Sequence, residues 1–135
     1  MASPWPCPAI LEPVVAVTPY RRGEVIYARG DPALHWYRLV SGMARKTADR
    51  AGGRLRIADF LLPGDFFGFS ARDQHAFTVE AAVEGTFVAR YPRRQAEMLA
   101  NSDPRVARYL REMTFLALSR SQARTPDPRA DDGAG

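Results

Sequence analysis

The stretch LLPGDFFGFSARDQHAF, Leu61–Phe77, has the spacing of a loop built to hold a small anion. Gly64 and Gly68 flank a short aromatic run, and glycine lets a backbone approach a ligand closely. Asp65, Phe66, Phe69, Ser70, Arg72, His75 and Ala76 complete the candidate pocket, but the polar groups an anion needs are few. Phe66, Phe67, Phe69 and Phe77 read more as plugs than as a bed for a charged group. Other chemistry has little to work with. His35 and His75 show no H-x-H or H-x-x-x-H spacing, so a metal centre lacks its ligands and no metal is expected. The serines at 3, 41, 70, 102, 119 and 121 lie in no nucleophile elbow, and there is no phosphate-binding P-loop or dinucleotide fingerprint. Glu80, Glu84 and Asp131-Asp132 read as solvated acids. One cysteine, Cys7, excludes an internal disulfide and a thiolate-only metal or iron–sulfur cluster within one chain. Neither an enzyme nor a resident cofactor is expected.

The elements that must position this loop follow from length and pattern. At 135 residues the chain suits one domain with tails. Its longest apolar runs, 13–17 and 113–118, are too short to span a bilayer, and the start lacks the pattern of a secretory signal. A cytoplasmic protein without membrane contact is expected. The net charge of +4 comes almost wholly from arginine, Lys46 being the single lysine. That excess permits a nucleic-acid partner without establishing one. Arg93, Arg94, Arg105, Arg108 and Arg111 are read as a solvated face and as partners for nearby acids.

Residues 1–12 carry prolines and read as an irregular arm. Residues 13–103 form the body. Up to Tyr91 it consists of short apolar or alternating runs cut by Gly, Pro and Asp, the pattern of an antiparallel sandwich or barrel. Ala51-Gly52-Gly53 is a hairpin signal and Glu84-Gly85 a weaker one. After Tyr91 the pattern turns helical. Pro92 suits a first helical turn, and Ser102 or Asp103 can cap a second helix that has Pro104 at its first position. This second helix is placed at 104–122. Val106, Leu110, Met113 and Ala117 follow the four-then-three spacing of a coiled-coil seam and are assigned to a dimer interface. The segment MTFLAL is apolar on nearly every side, so one face should rest on the chain's own barrel and another on a second copy, the alternative being a helix buried only in its own core. Residues 123–135, rich in Pro, Asp, Gly and Ala, should be disordered.

The order of these pieces resembles the cyclic-nucleotide-binding β-roll of the Crp/Fnr transcription regulators. The matching features are Gly23, Gly30-Asp31, Tyr37 to Gly42 as a Y-x-L-x-x-G strand end, and Pro63-Gly64-Asp65-Phe66-Phe67-Gly68. The resemblance covers about Tyr20 to Gln122, and its wording is closest to the FixK-like branch. It implies a mainly β fold with C-terminal helices: a double-stranded β-helix, or jelly roll, followed by a long dimerisation helix. In members that bind cyclic AMP, the cassette continues into a glutamate for the ribose and an Arg-Ser pair for the cyclic phosphate. Phe69 and His75-Ala76 stand there instead, so cyclic AMP binding is not expected. The helix-turn-helix that should follow the dimerisation helix is missing from these residues, and DNA would be reached only through a domain absent here. The resemblance thus implies the effector and dimerisation module of a truncated regulator, forming homodimers or mixed dimers with full-length relatives. The alternative is a stand-alone receptor for a small anion.

Overall fold

The computed structural model describes residues 8–51, 54–70 and 72–124, without the side chains of 49–51, 54–55 and 120–124. Eight strands precede two helices: β1 (Ala16–Tyr20), β2 (Val25–Tyr27), β3 (His35–Ser41), β4 (Ala44–Ala51), β5 (Arg54–Leu61), β6 (Phe66–Phe67), β7 (Thr78–Ala81), β8 (Thr86–Pro92), α1 (Arg93–Ser102) and α2 (Pro104–Arg124). The strands make two antiparallel four-stranded sheets, ordered β1-β8-β3-β6 and β2-β7-β4-β5. This is the expected jelly roll with C-terminal helices.

Alternation along the strands builds two cores, because successive side chains leave a strand on opposite faces. Tyr37, Leu39, Phe67 and Val88 point between the sheets and meet Tyr27, Ala44, Leu61 and Val79 from the second sheet. Their neighbours Phe66, Ala89 and Tyr91 point outward from the first sheet. There they are covered by Ala96 of α1 and by Val106, Tyr109, Leu110 and Met113 of α2. The Tyr91 and Tyr109 hydroxyls lie 3.1 Å apart inside this second core, and the Arg38 Nε donates to the Tyr91 hydroxyl at 3.2 Å.

Two local constraints fix the ends of strands. Gly42 takes φ +83, and a Cβ placed there would fall 2.6 Å from the Thr86 Cα, so only glycine lets β3 turn past β8. Asp103 caps α2, its Oδ1 accepting the Arg105 N–H at 2.9 Å, with Pro104 as the first helical residue.

Several expectations need correction. Val106, Leu110 and Met113 are buried in the chain's own second core and are not exposed to a partner; Ala117 is half-buried beside them. The same helix carries another row, with three-then-four spacing, Arg108, Arg111, Phe115 and Leu118, and this row faces outward. Residue 11 of the irregular arm is an anchor, Leu11 being fully buried under the helices. Helix α2 continues to Arg124, two residues past the expected Gln122. Glu80 is no solvated acid: it pairs with the Arg45 Nε at 3.0 Å. Gly52 and Gly53 lie outside the described residues, as do Ala71, Asp131-Asp132 and 125–135 of the tail, though Ala51 and Arg54 are register partners across the first hairpin.

Two measurements check this assignment. Met113→Ala should destabilise the folded chain by about 3 kcal/mol in chemical denaturation, whereas Phe115→Ala at low protein concentration should stay within about 0.5 kcal/mol. Gly42→Ala combines positive-φ strain with backbone overlap and should cost about 3 kcal/mol by the same method.

Candidate functional site

The loop from Leu61 to Phe77 leaves β5, forms β6 and returns to β7. Its first turn is structural. The Leu62 N–H donates to the Asp65 Oδ2 at 2.6 Å, and the Gly64 N–H to the Leu39 carbonyl at 2.7 Å. The Leu39 N–H in turn donates to the Asp65 carbonyl at 2.9 Å. Gly64 and Asp65 therefore fasten the turn to β3. Gly68 is required twice over: its φ is +89, and a Cβ would sit 2.6 Å from the Tyr37 Cδ2.

The aromatic run fills space on both faces of the sheet. Phe66 meets Tyr109 edge-on at 6.5 Å in the helix core, Phe67 stacks on Tyr37 at 5.3 Å inside the roll, and Phe69 stacks on Trp36 at 5.5 Å. Like Asp65, Ser70 is turned to the loop's own backbone. The Ser70 hydroxyl donates to the Gln74 carbonyl at 2.7 Å and accepts the Arg72 N–H at 3.2 Å. His75 is buried, its ring stacked on Tyr27 at 3.6 Å. Its backbone N–H donates to the Asp31 carbonyl and its backbone carbonyl accepts the Gly30 N–H, both at 2.9 Å. Burial holds the His75 imidazole below its ordinary pKa, the nearby Asp31 opposing only in part and His35 adding to the depression. The same burial pushes the Tyr37 phenol up to about 12 and Tyr27 well above the usual range.

Behind this loop lies a cavity of about 220 Å³, between the roll and the far end of α2. Of the expected pocket residues, Phe66, Gly68, Phe69, Ser70, His75 and Ala76 line it, whereas Gly64, Asp65 and Arg72 do not. Arg72 lies instead on an open cleft with Arg29, Gly30 and Gln74, which shares Ser70, His75 and Ala76 with the cavity. Ala117 and Leu118 close the cavity from α2.

The sequence reading missed its two charged walls, Lys46 and Asp59. They are direct register partners on β4 and β5 and share the inner face with Ala44, Leu61 and Val79. The Lys46 ammonium stands 4.4 Å from the centre of the Phe77 ring. Burial lowers its pKa by more than Asp59 raises it. Among the described residues no three His, Cys, Asp or Glu stand together to hold a metal ion, and no helix is long and apolar enough to cross a membrane.

Comparison with known proteins agrees with this geometry. Residues 17–103 match the cyclic nucleotide-binding domain family. The nitrogen fixation regulation protein FixK of Rhizobium meliloti is 39% identical over 70 residues, covering 52% of this chain and 33% of that protein. FixK of Azorhizobium caulinodans is 34% identical over 103 residues, covering 76% of this chain and 41% of its own length. The chain thus spans less than half of these curated relatives. Among solved structures, FixK2 of Bradyrhizobium japonicum superposes with a TM-score of 0.69 at 34% identity, over 82% of this chain and 55% of that one. With its jelly roll, glycine-bounded cassette and long C-terminal helix, the chain belongs to the cyclic nucleotide-binding domain family in the form found in Crp/Fnr transcription regulators.

Proposed function

We propose that the chain is the effector and dimerisation module of a FixK-like regulator, working in the cytoplasm, that it does not take cyclic AMP, and that it reaches DNA only through a domain outside the described residues. The observation that carries the ligand reading is the occupancy of the cassette. Where cyclic AMP binders present a glutamate and an Arg-Ser pair, Phe69 is stacked on Trp36, His75 is stacked on Tyr27, and Ala76 offers no donor. A cyclic phosphate needs charged or N–H donors in a partly desolvated pocket; Phe69 and Ala76 supply none, and His75 is buried against Tyr27 with its pKa held down.

Pairing is assigned to the outward row of α2. Phe115 and Leu118 are 69% and 56% exposed, one helical turn apart, with Arg108 and Arg111 continuing the row. A second helix laid along that row would bury both apolar side chains while leaving the inner row on the sheet. A full-length relative offering an equivalent helix would form a mixed dimer with one recognition helix, which weakens binding to a two-fold operator. The receptor reading keeps one observation in its favour, the cavity with its inward Lys46.

Native mass spectrometry at micromolar concentration should show a dimer, and the double variant Phe115→Glu, Leu118→Glu a folded monomer; a monomeric parent chain would refute the pairing. Added in excess to a full-length FixK, the chain should reduce operator binding in a gel-shift assay, and the double variant should not. Titration with cyclic AMP should give no saturable heat.

A structural, neutral His75 also sets a pH dependence. Its folded pKa lies below the ordinary 6.5, so on acidification the unfolded chain takes up the proton first. The stability is therefore fully present above that pH and is lost as pH falls through the folded value. The melting temperature should drop between about pH 7.5 and about pH 5, and less so in His75→Phe.

A further inference from the structure

We infer that the cavity behind the cassette binds a small aromatic monocarboxylate, its carboxylate on the Lys46 ammonium and its ring among Phe69, Phe77 and Tyr27. This deepens the reading of the cassette as a site that no longer takes a cyclic phosphate, and it rests on that reading. The placement of Lys46 is the first argument. It points into the roll from the middle of β4, on the face that elsewhere carries Ala44 and, from neighbouring strands, Leu61 and Val79. The ammonium is half-buried, faces the Phe77 ring at 4.4 Å, and carries a desolvation cost that neighbouring groups must offset. Asp59 opposite does so only in part, since burial still holds Lys46 below its ordinary pKa. A second anion in the cavity would supply the remainder.

Size and lining give the second argument. A cavity of about 220 Å³ exceeds the ~150 Å³ that accommodates benzene by roughly the room a carboxylate needs, and it is small for a nucleotide. Five aromatic side chains, Tyr27, Phe66, Phe67, Phe69 and Phe77, form its walls, and flat rings stack on such surfaces in offset or edge-on contact. Lys46 presents its charge as a point donor at the edge of this aromatic volume, already 4.4 Å from one ring. A ligand carrying an amine would bring a second ammonium beside the first.

The test is an NMR titration of the isotope-labelled 135-residue chain with benzoate, benzyl alcohol, benzylamine and cyclic AMP. Benzoate should shift the amides of Phe77, Val79, Ala117 and Leu118 and bind about tenfold or more tightly than benzylamine. Lys46→Met should weaken benzoate by about tenfold or more while leaving benzyl alcohol unchanged. If that variant does not fold, the order benzoate, benzyl alcohol, benzylamine on the unaltered chain decides the same point. The inference is overturned if benzylamine binds as well as benzoate, which would make Asp59 and the rings a cation site. It is also overturned if benzoate binds independently of Lys46, or if it causes no shift. Saturable cyclic AMP binding would overturn the underlying reading as well, whereas failure of benzoate alone leaves that reading standing.

Discussion

Two-sided burial of the sheet formed by β1, β8, β3 and β6 is the constraint on which the rest of the structure depends. Along β8, Val88 goes into the roll while Ala89 and Tyr91 go under the helices; along β6, Phe67 and Phe66 divide in the same way. Two consecutive phenylalanines in a two-residue strand would expose one ring to water if either cover were removed. The helices are therefore part of the fold, and Leu11 from the start of the described chain helps to hold them. The paired hydroxyls of Tyr91 and Tyr109 satisfy each other within this layer, so the polar ends of two buried rings incur little desolvation cost.

Much of this was legible in the sequence because it rests on backbone geometry. Gly23, Gly30, Gly42, Gly64 and Gly68 all adopt positive φ, which is why their spacing carried the resemblance, and Gly85 of the weaker hairpin signal does so too. The Pro92 and Asp103-Pro104 signals marked both helix starts to within a residue. Facing was not legible. Helix α2 contains two rows of alternating three- and four-residue spacing, and periodicity alone does not say which row meets the chain's own sheet. The inner row is the more apolar from its first turn, whereas the outer one begins with Arg108 and Arg111 and becomes apolar only at Phe115. That contrast was the available signal.

The charged walls of the cavity were hidden for a different reason. In ARKTADRA one alternate set is Arg45, Thr47, Asp49 and Ala51 and the other is Ala44, Lys46, Ala48 and Arg50, so β4 shows no continuous apolar face to orient it. The partner strand is bulged, Lys46 facing Asp59 while Thr47 faces Ile57, and this breaks the two-residue period just where it was needed. Similarly, Asp65 has the type and position of a ligand contact, yet its carboxylate closes a turn. A carboxylate in a glycine-bounded loop has backbone N–H groups within reach, and local geometry is satisfied before any ligand arrives.

Leu118 belongs to two surfaces at once: it closes the cavity from α2 and stands in the exposed outward row of the same helix. The proposed ligand in the cavity and the proposed partner on the helix would therefore both touch one side chain. Wherever two binding events share a residue in this way their free energies are coupled, and the coupling is reciprocal. Were a ligand in the cavity and a second chain on the outward row both to engage Leu118, each would change the affinity of the other by the same factor.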